Sequence, residues 1–288
     1  MEDGRIVLLG DFDGVHAGHR EIVREGVRLG KKTGCKVTVW TFDSIRDEAL
    51  TSLDERKRLL LEAGADEVIF CKFEDVRDMS CEDFVKKVLC GALNAVAAVC
   101  GYNYSFGRGG TGTPSLLAEL CSSEGVTVSV VDEVRLGGSE VSSSVIRSLI
   151  RRGKMREAAT LLGRYWSCGG VVGSGAGLGR TVGMPTVNLC CGDVILPAHG
   201  VYATVIRIGE RSYPSVTNVG VRPTVNDGRG VTVETHIIDF DGDLYGESVR
   251  VEFVEYLREE RAFGSLEELS AQVKTDCNTA RKLIADVL

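Results

Sequence analysis

The sequence predicts a two-part α/β protein: a parallel sheet with helices on both faces, then a small antiparallel β part that ends in a helix. Three observations carry this expectation. Strand-like and helix-like segments alternate through the first half, strand-like segments separated by turn signals follow in the second, and 288 residues suffice for two cores.

Arg5–Leu9, a short β-branched and apolar run, is the first strand. Gly18–Leu29 reads as a helix with Ile22, Val23 and Val27 on its apolar face, and Cys35–Phe42 as the second strand. The rhythm continues with helices at Leu53–Ala63, Glu82–Leu93 and Ser115–Ser122, and with strands at Glu67–Cys71, Ala95–Cys100 and Val126–Val131. In such sheets ligands bind beyond the carboxyl ends of the strands, which is where Gly10–His19 and Gly101–Gly112 fall. Ser142–Leu162, rich in Arg and Lys, is expected to form a helical bridge between the halves. The character changes after about Tyr165. Val201–Ile208, Arg211–Val219, Val231–Phe240 and Ser248–Val254 look like strands, with turn signals at Gly209-Glu210, Asn226-Asp227-Gly228 and Asp241-Gly242-Asp243. Leu266, Leu269, Val273, Cys277, Ala280 and Ile284 then recur at helical steps behind a capping box of Ser265 and Glu268.

Composition narrows the function classes. With 34 Lys and Arg against 41 Asp and Glu, the net charge of -7 supplies no global positive field, so a nucleic-acid partner is not expected. No run of 18 apolar residues occurs, and a membrane-spanning helix is not expected either. The ten cysteines contain no C-x-x-C pair, which favours small buried apolar residues over zinc ligands. Together with the acidic start MEDGRIVLLGDFDG, this points to a reducing cytoplasm. Arg151, Arg152, Lys154, Arg258, Glu259, Glu260 and Arg261 are expected to be solvated surface.

The sharpest local feature is Gly10-Asp11-Phe12-Asp13-Gly14-Val15-His16-Ala17-Gly18-His19, between a strand and a helix, which holds two of the four histidines. A small residue between imidazoles lets backbone and side chains close on a phosphate, and a helix N-terminus adds unpaired N–H groups. By composition alone, two surface histidines at a helix start would look the same. In the second half Gly173–Gly179 reads GSGAGLG, which fits neither G-x-G-x-x-G nor Walker A but can lie over phosphates. Thr186 and Asn188, two residues apart in an extended segment, can face one hard cation or can simply be a polar pair at a strand edge. Glu234 alternates with Val233 and Thr235; it could take a hydroxyl proton, although an outward surface glutamate is the commoner case.

Five ordered segments settle among these alternatives: FDGVHAGH at Phe12–His19, GYNYSFGRGGTG at Gly101–Gly112, VSSSVIRSLI at Val141–Ile150, GRTVGMPTVNL at Gly179–Leu189 and VETHIIDFDGDLYG at Val233–Gly246. Together they resemble the bacterial bifunctional riboflavin kinase/FAD synthetase family over nearly the whole chain. The resemblance implies an HxGH nucleotidylyltransferase-type FMN adenylyltransferase domain over residues 1–162 and a riboflavin kinase β-barrel over residues 163–288. It implies that His16 and His19 stabilise the transferring adenylyl phosphate and that Gly14 lets the nucleotide approach. Asn103 would position nucleotide and flavin, and Ser142, Ser143 and Arg147 would hold the ATP phosphates. Gly179 and Arg180 would contribute to nucleotide binding in the kinase half, Thr186 and Asn188 would hold Mg2+ beside ATP, and Glu234 would be the base, with His236 structural. Riboflavin, FMN, FAD and ATP are the implied small-molecule partners. One departure stands out: where the family carries Thr-Phe-x-Pro-His-Pro, this chain has Thr41-Phe42-Asp43-Ser44-Ile45-Arg46. That leaves two rival expectations, a riboflavin kinase with impaired adenylylation and a flavin- or nucleotide-binding regulator without turnover.

Overall fold

In the computed structural model, which describes residues 4–43, 48–173, 186–189, 191–221, 231–242 and 244–287, β1 (Arg5–Leu9) is the centre of a five-stranded sheet. It pairs in parallel with β2 (Lys36–Phe42) on one side and β4 (Ala95–Gly101) on the other. Beyond these, β3 (Glu67–Cys71) and β5 (Thr127–Val131) form the edges, also parallel. Ile6, Val7, Leu8 and Leu9 are all fully buried, because a parallel strand at the centre of the sheet is covered on both faces. Helix α1 (Ala17–Thr33) and α2 (Leu53–Glu62) cover one face through Ile22, Val23, Leu59 and Leu60. The other face carries a segment at Phe84–Ala92, which follows two short helices, α3 (Phe73–Val76) and α4 (Cys81–Asp83); α5 (Pro114–Ser123) joins it there. The helix expected at Glu82–Leu93 is thus present, but it is largely π-wound, the Leu93 N–H donating to the Val88 carbonyl at 2.9 Å.

Chain order sets which strand ends adjoin. The chain runs β1, β2, β3 toward one edge, then returns to lay β4 beside β1 and continues to β5 at the other edge. The carboxyl ends of β1 and β4 therefore adjoin at the point of reversal, and the segments that follow them, Gly10–His19 and Gly101–Gly112, leave the sheet side by side. A two-residue hairpin of β6 (Arg135–Leu136) and β7 (Ser139–Glu140) was too short to show periodicity, though its turn Gly137-Gly138, with φ of 58° and 81°, is the signal such hairpins require.

The chain divides into two compact units, Met1–Ser143 and Ser144–Leu288. The expected helical stretch Ser142–Leu162 is two helices, α6 (Ser143–Arg151) and α7 (Met155–Leu162), separated at Gly153 with φ 70°. In the second unit β8 (Trp166–Gly173), β9 (Thr186–Leu189), β10 (Gly200–Ile208), β11 (Arg211–Val221), β12 (Val231–Ile237) and β13 (Ser248–Arg258) close an antiparallel barrel in the order β10-β11-β12-β9-β8-β13. Strand β8 escaped the sequence reading because Ser167, Gly169 and Gly170 dilute its apolar pattern. Trp166, Tyr202 and Phe253 fill the interior, together with a ladder of buried hydroxyls: Thr204 to Ser215 and Thr217 at 2.8 Å, and Thr217 to Thr235 at 2.9 Å. Helix α8 (Leu266–Ile284) lies on the outer wall, with Cys277, Ala280 and Ile284 against Val201, Ala203 and Val205. Its cap is as expected from Ser265, whose Oγ accepts from the Glu268 N–H at 3.2 Å, while the Glu268 carboxylate reaches back to the Gly264 N–H.

One expectation needs correction. Arg258 is not solvated surface: it makes a bidentate pair with the buried Asp276 of α8, the closest contact being 2.9 Å, so it fastens β13 to the helix. Glu260 is exposed as expected, and its carboxylate accepts from the Asn218 amide at 2.9 Å. Most cysteines behave as small apolar residues, Cys81, Cys100, Cys121 and Cys277 being buried, but the barrel also brings the sulfurs of Cys168 and Cys191 to 2.7 Å.

Burial pushes the Cys100 thiol up to about 11, and burial together with Cys90 and Cys100 pushes Cys121 up to about 12. In the unfolded chain a thiol ionises near about 8.5. The folded state thus favours the protonated thiols, a contribution complete below the unfolded value and lost as pH rises through the folded one. The urea midpoint is expected to fall between about pH 9 and 11, and Cys100→Ala to flatten that fall; an equally steep fall in the variant would assign it to other groups.

Candidate active sites

The turn that follows β1 is built under constraint. Phe12 and Val15 have φ of 53° and 41°, and Gly14 has φ 86°, so three residues in a row of four occupy the left-handed region. For a β-branched valine that conformation is strained. A Cβ on Gly14 would also stand 2.6 Å from Leu50 Cδ1. The turn is held by hydrogen bonds on every side: the Gly14 N–H donates to Thr51 Oγ1 at 3.1 Å, and the Ser143 hydroxyl to the Asp13 carbonyl at 2.9 Å. The buried Asp13 carboxylate accepts from the Leu50 and Thr51 N–H groups at 3.0 and 3.2 Å.

This turn delivers His16 to the N-cap of α1, where its Nδ1 accepts from the His19 N–H at 3.3 Å. The two rings stack, centroids 3.7 Å apart and planes 16° from parallel. Gly18 leaves the His16 ring room, since a Cβ there would make a tight contact with it at 3.2 Å. The first turn of α1 carries no carboxylate, which leaves the positive end of the helix uncancelled beside the imidazoles. Asn103 is exposed in the turn after β4, at the adjoining strand end. Ser142 and Ser143 approach from the far end of the unit, and the Ser143 hydroxyl is engaged by the turn itself. Arg147 lies half-buried on α6, one helical turn beyond Ser143.

In the barrel, register assembles the second cluster. Glu234 stands directly opposite Asn188 of β9 and Asn218 of β11, and His236 directly opposite Thr186. Directly opposed residues share a face, so Thr186, Asn188, Glu234, His236 and Asn218 line one stretch of the outer wall. Val233, Thr235 and Ile237 point into the interior, as the alternation predicted. Asn218 is a member that sequence reasoning missed, since only the pairing of β11 with β12 reveals it. Gly179, Arg180 and the departure at Ser44–Arg46 lie outside the described residues. The hydroxyl of Thr186, the amide oxygen of Asn188 and the carboxylate of Glu234 are hard oxygen donors, a set that suits Mg2+ and not a thiophilic metal.

An FAD synthetase family model matches residues 1–145 and a riboflavin kinase model residues 162–284. The bifunctional riboflavin kinase/FMN adenylyltransferase of Escherichia coli strain K12 is 33% identical over 292 residues, covering 98% of this chain and 93% of its own. The chain belongs to the bifunctional riboflavin kinase/FMN adenylyltransferase family. Relatives of that description from Listeria monocytogenes and Bacillus subtilis are 30% and 28% identical, each over 98% of this chain and 93% of the relative. A crystal structure from Streptococcus pneumoniae, described as a macrolide-efflux protein, superposes with a TM-score of 0.87 at 30% identity, covering 97% of this chain and 94% of that one. Among the described residues, no helix of this family member is long and apolar enough to cross a membrane. Its two domains favour the bifunctional reading over a kinase alone.

Gly14→Ala is expected to destabilise the first unit by about 1–3 kcal/mol through strain at the turn. FAD formation should fall while FMN formation by the same chain persists. Unfolding monitored in urea, alongside both activities, checks this; an unchanged first transition would show that the turn tolerates a side chain.

Proposed function

We propose that the chain phosphorylates riboflavin to FMN with ATP and then adenylylates FMN to FAD with release of pyrophosphate, each step on its own domain. The observation that carries this reading is the presence of two separate clusters: stacked imidazoles at a helix N-terminus in one unit, and a carboxylate in register with oxygen donors on a barrel wall in the other. We assign residues 1–162 to adenylylation and residues 163–288 to phosphorylation.

On the barrel, Glu234 takes the proton of the ribityl 5′-hydroxyl as that oxygen attacks the γ-phosphate of ATP. Thr186 and Asn188 would hold Mg2+, which when bound neutralises phosphate charge. Asn188 and Asn218 stand directly opposite Glu234 on the two neighbouring strands. Gly179 and Arg180 complete the nucleotide side in this reading. In the first unit the nucleophile is the FMN phosphate, already ionised at neutral pH, so the step needs charge stabilisation more than a base. His16 and His19 supply it at the α-phosphate of ATP, and the N–H groups of α1 add to it. Gly14 gives the nucleotide close approach to the backbone, Asn103 orients nucleotide and flavin, and Ser142, Ser143 and Arg147 bind the phosphates. Free thiols support a cytoplasmic setting, and the partners are these small molecules.

Purified protein with riboflavin, ATP and Mg2+ should yield FMN and then FAD. Glu234→Gln is expected to lower FMN formation by about 100-fold or more while sparing FAD formation from supplied FMN. His19→Ala should do the reverse. Loss of both activities from either change in a folded protein would overturn the separation of sites; FMN as the sole product of the unmodified chain would leave only the kinase half standing.

A further inference from the structure

Close to the paired imidazoles lies a guanidinium that reaches no solvent. Arg56, the fourth residue of α2, is 1% exposed. A charge so deeply buried is costly unless it is partnered, and each of its bonds goes to the turn below the histidines or to the end of the neighbouring strand. Its Nη1 donates to the Asp11 carbonyl at 3.1 Å and to the Phe42 carbonyl at 3.4 Å, and its Nη2 to Asp13 Oδ1 at 3.4 Å. The Asp11 carboxylate stands 3.7 Å from Nη1. The Thr41 hydroxyl, from the same strand end, also donates to the Asp11 carbonyl, at 2.9 Å.

These bonds form a closed loop of restraint. Asp13 reaches from the turn to the N–H groups of Leu50 and Thr51 just ahead of α2, and Arg56 reaches back from α2 to the turn. The segment so held contains Phe12, Gly14 and Val15, all at positive φ, a conformation that relaxes unless its surroundings over-determine it. The next residue is His16. Whatever fixes the turn therefore fixes where the stacked rings sit. Phe42, the third anchor, is also the last residue before Asp43-Ser44-Ile45-Arg46, where this chain lacks two prolines of the family pattern, so the guanidinium holds the root of that segment.

We propose that Arg56 is a positioning residue for adenylylation: with Asp13 it locks the Gly10–Gly14 turn so that His16 and His19 meet the α-phosphate in register. The inference rests on the assignment of those two imidazoles to the transferring phosphate. Arg56 touches no substrate in this account, so its effect belongs to kcat, not to substrate affinity.

The test uses the full chain. Arg56→Met keeps the length of the side chain and removes its charge and fork; Arg56→Lys keeps the charge. The kcat for FAD formation should fall roughly 10- to 100-fold in Arg56→Met, the scale of a small misplacement of catalytic groups. KM values for FMN and ATP should stay near those of the unmodified protein, FMN formation should be unchanged, and Arg56→Lys should recover part of kcat. Full kcat in Arg56→Met overturns the proposal. So does an equal loss in both variants accompanied by raised KM or a lost thermal transition, which would mark a folding role. His19→Ala, run in parallel, separates the two readings. If it keeps full FAD formation, the imidazole assignment fails; if it is inactive while Arg56→Met is intact, only the positioning role fails.

Discussion

A polar group taken out of water has to find a partner, and both units of this protein are organised around that requirement. In the first unit the group is the Asp13 carboxylate. It is satisfied by two backbone N–H groups, a hydroxyl and a guanidinium drawn from α2 and the residues before it. The price of leaving any of these unpaired keeps α2, the ends of β1 and β2, and the turn between β1 and α1 in one arrangement. In the barrel the groups are hydroxyls. Thr204, Ser215, Thr217 and Thr235 project from three neighbouring strands into an apolar interior and satisfy one another. That ladder favours one pairing of β10, β11 and β12, because a slipped strand would strand its hydroxyls against hydrocarbon.

Chemistry is placed by two different geometries on this common basis. In the sheet, strand order reverses where the ends of β1 and β4 adjoin, and a strained turn leads from β1 to a helix N-terminus. In the barrel the interior is filled, and alternate residues of β9, β11 and β12 stand in line on the outer wall. The paired imidazoles are held by hydrogen bonds within the first unit, and Glu234 by strand pairing within the second.

Much of this was legible in the sequence, and the parts that were not share a cause. Alternation exposed the parallel-sheet unit and the face of Glu234, and the His16-Ala17-Gly18-His19 spacing marked the helix start, because these signals lie within a few residues of one another. Arg56 read as one more charge in Leu-Asp-Glu-Arg-Lys-Arg, and nothing local says that it, unlike Arg58, turns inward. Asn218 likewise gains its meaning from strand pairing, and Cys168 and Cys191, which sit 23 residues apart, meet only across the closed barrel. Strand β8 was hidden by its glycines, although closure of the barrel requires it. Long-range partners are what a single sequence conceals.

The pairing of β12 with both β9 and β11 has one further consequence, for how such a chain can change over time. Added residues in the connections at either end of the strand leave its two neighbours in step. A single residue inserted ahead of Glu234 in Val231–Ile237 would rotate every following side chain by half a turn, sending a carboxylate into hydrocarbon and a threonine out to the barrel surface. Drift in length is therefore confined to the loops, and this short stretch can vary in letters but not in number.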